Sequence, residues 1–474
     1  FKERQRLFDG VLGWDQYNEK LLSKGGRIYS RHDKSLDLTP EIKAAFGIER
    51  DRVTPYELMT AILTSEVDLL WFGGIGTYIK SETESHLDAS DKANDLIRIN
   101  GHQVRAKVIG EGANLGVTQL GRIEYDRNGG RINADFIDNA GGVDSSDHEV
   151  NIKILLNEVM RAEDSSLTLK KRNKFLASMT EEVSQLVLKH NYQQVQAISL
   201  MEIKAVEQLQ AHSTLIDELE SLELLEREIE FLPSAEEIDN RRRNGEALTR
   251  PEISVLQSYA KILFTSNLLK SDFLDADELS YWLTDYFPKP MQKTYKAEIL
   301  GHRLKREIIA TRIANSVINR MGPTFVRSRV AKTGVDPSEV AKAYLVVREA
   351  FELQGLWRRI EALDNIVPAN TQLIAMQEIV KLVERETTWM LTRLGQAINV
   401  STDIPRFKKG FKALKSVIDT ALTNEEKQRI SDKFTELTDA GLPDDIAHDI
   451  ALLPALGSVC DIIRVSDESK ADIR

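Results

Sequence analysis

Every strand-like pattern in this sequence lies before about Val150, and beyond it apolar residues recur only at helical spacing. A break of that kind predicts an α/β region followed by a large all-helical one. Before the break, VDLLWF (Val67 to Phe72) is a continuous apolar run stopped by Gly73-Gly74, as expected of a strand buried on both faces. RAKVIG (Arg105 to Gly110) repeats that form, and GGRIYS (Gly25 to Ser30) reads as a further short strand. Helix starts lie between them. Thr39-Pro40 opens one, and TPYE (Thr54 to Glu57) is a capping box that opens another. Strands alternating with helices predict a parallel sheet of partly Rossmann-like form. GRIEYDRNGGRINADFI (Gly121 to Ile137) then reads as a β-hairpin turning at Asn128-Gly129.

Past the break, Ile152, Leu155, Leu156 and Val159 mark one amphipathic helix, and Ile309, Ile313, Val317 and Met321 mark another. TRPE (Thr249 to Glu252), DPSE (Asp336 to Glu339) and TNEE (Thr423 to Glu426) are further helix starts. The expected division is residues 1–150 and 151–474, the second divisible into two sub-bundles. A chain of 474 residues is long enough for roughly two to four domains.

Composition removes several classes of partner. A net charge of -11 argues against a general nucleic-acid binder, which would carry a basic face. The run Arg241-Arg242-Arg243 is the local exception and reads as a solvated turn before Asn244-Gly245. No uninterrupted apolar stretch approaches the roughly 20 residues of a membrane helix, so no membrane partner is expected. A single cysteine, Cys460, excludes an intrachain disulfide and fits a reducing, cytoplasmic setting. The opening FKERQRLFDG has neither an initiator Met nor the apolar core of a signal peptide, and reads as the start of a piece of a longer protein.

In an open parallel sheet, ligands bind beyond the carboxyl ends of the strands. Three glycine clusters are expected there: Gly73-Gly74-Ile75-Gly76-Thr77, Gly110-Glu111-Gly112-Ala113-Asn114, and Asn139-Ala140-Gly141-Gly142-Val143 after the strand-like ADFI. None is the dinucleotide fingerprint, because Ile79 and Leu115 stand where a third glycine belongs. SDHE (Ser146 to Glu149) reads as a capping box that begins the first long helix, where free N–H groups favour a carboxylate. Asp144, Asp147, His148 and Glu149 crowd together, but adjacent helical residues point in different directions, so no metal site is expected from them. His102 and His148 have no partner identifiable from sequence.

At EGAN and NAGGV followed by a serine, the chain resembles the C-terminal part of the large NAD-dependent glutamate dehydrogenases of bacteria. The similarity runs through VDLLWFGGIGTYIK, VIGEGANLGVTQLGRIEYDRNGGRINADFIDNAGGVDSSDHEVNIKILL, LTRPEISVLQSYAKI and REIIATRIANSVINRMGPTF. The resemblance implies oxidative deamination of L-glutamate to 2-oxoglutarate and ammonium, with NAD as cofactor, by a homo-oligomer. By it, Gly73 and Gly74 lie along the cofactor, Asn114 contacts its nicotinamide end, and Asn139 lies beside the nicotinamide ribose. Val143 and Ser146 line the glutamate pocket, Ser146 donating to the side-chain carboxylate.

Two departures stand out. The smaller glutamate dehydrogenases have aromatic residues after that serine, where this chain has Asp147 and His148. The family's catalytic lysine and aspartate, phosphate loop and ribose-binding acid belong upstream of Phe1, so no catalytic residue is assigned here and the isolated chain is expected to be inactive. Two alternatives stay open: a dehydrogenase for another amino acid, with an apolar pocket at Ser146, and a helical assembly or regulatory module, for which LIDELESLELLEREIEFL speaks in part.

Overall fold

A computed structural model describes residues 1–163 and 165–470. They form two compact units. The first comprises Phe1–Ala140 with the later segments Glu228–Leu232 and Thr249–Ser254; the second comprises Gly141–Arg227, Pro233–Leu248 and the chain from Val255 onward. Helices dominate, and the sheets are small.

In the first unit, strand Leu69–Phe72 pairs in parallel with Val108–Glu111, Trp71 opposite Gly110 and Phe72 opposite Glu111. Arg131 makes a parallel bridge to Val108 on the other side of that strand. The crossover between the two strands carries a second parallel pair, Ile79–Lys80 with Ile99–Asn100. A short antiparallel pair, Leu36–Asp37 with Arg52–Val53, precedes them. Phe72, Ile79, Ile99, Ile109, Val117, Tyr125 and Ile132 close the core around the parallel pairs.

Helix Pro40–Phe46 starts on Thr39, whose hydroxyl accepts from the Ile42 N–H, and helix Pro55–Leu63 starts on the Thr54–Glu57 capping box. Both match the sequence expectation. Four others do not. No strand forms at 25–30. Strand Leu69–Phe72 is not buried on both faces, since Leu69 and Trp71 are more than half exposed. ADFI is no strand but lies in the helical turn Asp135–Asp138 and the residue before it.

The expected β-hairpin is instead helix Gln119–Arg127, a turn at Asn128 to Gly130, and the bridging Arg131. Thr118 caps that helix by accepting from the Gly121 N–H. Tyr125 is buried beneath the turn and donates to the Ala106 carbonyl at 2.6 Å. A Cβ on Gly130 would overlap the Tyr125 ring. Gly130→Ala is therefore expected to cost about 1–3 kcal/mol through overpacking, measured as the drop in urea-unfolding free energy.

The second unit is helical. Helix Pro337–Ala350 is buried nearly all round, Glu339 and Arg348 included, and packs against Ala369–Arg393 and Val400–Ala421. Ile309, Ile313, Val317 and Met321 are buried along helix Lys305–Met321, as their spacing predicts. The triple arginine ends helix Ala235–Asn244, not a turn, and Gly245 caps it at φ +70°. Basic residues in a last turn suit the negative end of the helix dipole. Within Asp444–Ser469 a window reaches a mean hydropathy of 1.6. That segment consists of two helices, Asp444–Leu452 and Val459–Ser469, with Ile446, Ile450 and Ile463 buried in the fold.

Candidate functional site

The loops beyond Phe72 and Glu111 stand side by side because both strands end in register. The Phe72 carbonyl accepts from the Gly112 and Ala113 N–H groups at 2.9 and 3.1 Å, and the Thr77 hydroxyl donates to the Leu115 carbonyl at 2.7 Å. Trp71 covers the strand end, and a Cβ on either Gly110 or Gly112 would run into its indole. Those two glycines serve close packing of a side chain.

Beneath the loop lies a buried ionic network. Glu111 is fully buried, and Arg122 holds it through Nε at 2.7 Å and Nη2 at 3.0 Å. The remaining acceptor capacity of Glu111 takes the Val117 N–H at 3.0 Å. Arg122 also reaches Asp135 at 3.3 Å. Burial pushes the Glu111 carboxyl above the ordinary carboxylate range, against the pull of Arg122. Burial opposes the Arg122 charge as well, but Glu111, Asp135 and Asp138 outweigh it and raise the guanidinium.

The same carboxylates pin the backbone on either side. Asp138 accepts from the Glu111 N–H at 3.1 Å and from Asn133 at 2.9 Å, and Arg250 donates to Asn133 at 2.9 Å. Asp135 accepts from the Leu115 N–H at 2.9 Å. Leu115 sits at φ +56°, a left-handed conformation costly for a residue with a Cβ, and both its amide groups are tied.

This network brings two of the expected site residues together. The Asn139 amide donates to the Asn114 side-chain carbonyl. Asn114 is exposed and Asn139 half-buried. Gly73 and Gly74 lie in the exposed loop beyond Phe72, and a Cβ on Gly74 would meet nothing within 4 Å. The third cluster follows the helical turn Asp135–Asp138 instead of a strand. The network residues Glu111, Arg122, Asp135 and Asp138 were missed by sequence reasoning. The available signal was charge placed inside apolar patterns, a glutamate ending a strand and an arginine beside Ile123.

In the second unit, Val143 and Ser146 lie on helix Ala140–Arg161, three residues apart and both exposed. Residues so spaced share one helix face. The helix starts at Ala140, so SDHE does not cap it. Ser146 falls in the second turn and donates back to the Gly142 carbonyl at 3.1 Å, as Ser145 does to Gly141 at 2.6 Å. The Gly-Gly pair is thus the bare first turn of the helix and not a break before it. A Cβ on Gly142 would meet nothing within 4 Å.

Asp144 and His148 point inward, and His148 is buried against the Tyr286 ring; Asp147 is exposed, and its carboxylate accepts from the Tyr286 hydroxyl at 2.7 Å. Burial holds the His148 imidazole below its ordinary pKa. His102 has the partner that sequence could not identify: its Nδ1 lies 2.8 Å from Glu124.

Residues 1–201 match the family model described as bacterial NAD-glutamate dehydrogenase, catalytic domain. Residues 245–474 match the one described as glutamate dehydrogenase, C-terminal. Among relatives, the NAD-specific glutamate dehydrogenase of Pseudomonas aeruginosa is 45% identical over 473 residues, 100% of this chain and 29% of that protein. The Halomonas elongata protein of the same name is 43% identical over 470 residues, 99% of this chain and 29% of its own. That of Mycobacterium tuberculosis is 37% identical over 468 residues, 97% and 29%. The chain belongs to the family of bacterial NAD-glutamate dehydrogenases. It spans 29% of the length of these curated relatives.

Proposed function

We propose that the chain is part of an oxidoreductase that deaminates L-glutamate to 2-oxoglutarate and ammonium, acting as a homo-oligomer in the cytoplasm. In this reading residues 1–150 are the C-terminal part of a Rossmann-like dinucleotide-binding domain, and 151–474 are a helical C-terminal domain. The observation that carries it is the hydrogen-bonded pair Asn114–Asn139, the first on the loop beyond a parallel strand pair and the second between two helices, near exposed glycine backbone. When bound, NAD supplies the acceptor for the hydride leaving the glutamate α-carbon.

The residues present fit such a group. Open space above Gly74 lets backbone approach a flat ring closely. The free amide donors of Asn114 orient the nicotinamide end, and Asn139 holds Asn114 while facing the ribose. Val143 and Ser146, on one exposed helix face, line the glutamate pocket, with the Ser146 hydroxyl turned from Gly142 to the side-chain carboxylate. Loss of hydride and a proton leaves an imine, and water then adds at that carbon to release ammonium. The groups that move those protons are assigned to the remainder of the longer polypeptide, and the isolated chain is expected to be inactive. The test is turnover by the full-length enzyme on glutamate against leucine and phenylalanine. Glutamate is expected to be preferred by at least about 100-fold; faster turnover of either apolar amino acid would overturn the reading.

A further inference from the structure

In the second unit, the inward face of helix Ala140–Arg161 presents Asp144 and His148, one turn apart, and helix Thr180–Glu202 brings His190 against them. One ligand-capable atom from each of the three lies within 4.8 Å of the others. His190 Nδ1 is 2.8 Å from Asp144 Oδ2. His148 is completely buried, yet neither ring nitrogen has a hydrogen-bond partner. An orphaned buried donor or acceptor costs about 1–3 kcal/mol, so its retention here needs a reason.

The His148 ring is positioned by stacking, at 4.5 Å from the Tyr286 ring and 5.9 Å from the His190 ring. Tyr286 is itself fixed, donating to Asp147 at 2.7 Å and accepting from Asn151 at 2.9 Å. His212 also has both nitrogens orphaned. Among the described residues, however, Asp144, His148 and His190 are the set of three ligand types that converges.

We propose that Asp144, His148 and His190 bind one divalent transition-metal ion of the zinc type. Two imidazole nitrogens with one carboxylate oxygen are a ligand set that zinc takes, and three protein ligands leave a fourth position for water. Ligand distances of about 2.0–2.1 Å place tetrahedral donor atoms about 3.4 Å apart. The Asp144–His190 contact is already inside that spacing, and modest side-chain rotations close the rest. Sequence reasoning set aside Asp144, Asp147, His148 and Glu149 together because adjacent helical residues diverge, but Asp144 and His148 are four apart and do converge. It could not see His190, which is 46 residues from Asp144. The ion would clamp the helix carrying Val143 and Ser146 to helix Thr180–Glu202, and binding would release any proton on the two imidazoles.

The test uses the full chain, stripped with EDTA and titrated with Co2+ alone, then with Zn2+ alone. One equivalent of Co2+ is expected to bind with the intense visible bands of tetrahedral coordination, and Zn2+ is expected to displace it. Asp144→Asn and His190→Gln replace half-buried side chains and should fold, as checked by circular dichroism. Each is expected to weaken Zn2+ binding by more than about 100-fold, while Glu149→Gln leaves it unchanged. Absence of saturable binding, octahedral Co2+ spectra, or equal affinity in Asp144→Asn and His190→Gln would each overturn the proposal.

Discussion

Glu111→Gln is expected to destabilise the first unit by about 3–5 kcal/mol, the range for removing one partner of a buried ion pair. The substitution keeps size and shape, so the cost is electrostatic. It leaves the Arg122 guanidinium buried with one full carboxylate lost, and Asp135 at 3.3 Å compensates only in part. Gln can still accept from the Val117 N–H through its carbonyl, but it cannot also take both guanidinium donors. The combined change Glu111→Leu with Arg122→Met removes both charges and should recover much of the stability, because well-packed apolar pairs often match buried ion pairs. Urea unfolding monitored by circular dichroism and intrinsic tryptophan fluorescence measures both. A loss under about 1 kcal/mol for Glu111→Gln would mean that water or another cation already serves Arg122.

The same pair shows where sequence was legible and where it was not. Helix starts were readable because a cap is a local event: Thr54 with Glu57 and Thr423 with Glu426 form complete capping boxes three residues apart. The stripe Ile309 to Met321 was readable because one face of one helix meets one core. Failures came where a local pattern had two meanings. RIEY alternates like a strand, but Arg122 is itself buried by its pairing with Glu111, so the apolar period was masked by a charge facing inward. Ser146 and Glu149 match a capping box, yet the helix had already begun six residues before Ser146, because glycines are tolerated in a first turn. The exposed Leu69 and Trp71 look like a core run, since hydropathy records what a strand prefers and not what covers it. The asparagine pair, 25 residues apart, was reached through resemblance; spacing alone carries no sign of it.

Ser146→Ala separates the glutamate reading from its rivals with the largest expected change in function. A hydrogen bond to a charged group is worth about 1.5–3 kcal/mol, which corresponds to about 10- to 100-fold in kcat/KM. In the full-length enzyme the loss is expected to fall mainly on KM for glutamate, because on the proposed reading the bond is made to the carboxylate away from the reacting carbon and is equally present before and during hydride transfer. Stability should be unchanged within about 0.5 kcal/mol, since Ser146 is exposed and its present bond, to Gly142, is one the helix does not need. His148 does not confuse the test, because it is buried against the Tyr286 ring; Asp147 shares the exposed face with Val143 and Ser146, but Tyr286 holds its carboxylate. Asn114→Ala is the orthogonal variant, expected to raise KM for NAD with little effect on KM for glutamate. Were Ser146→Ala to leave the glutamate KM unaltered while the protein stays folded, the carboxylate would have to be held elsewhere, and the helix beginning at Ala140 would lose its place in substrate recognition.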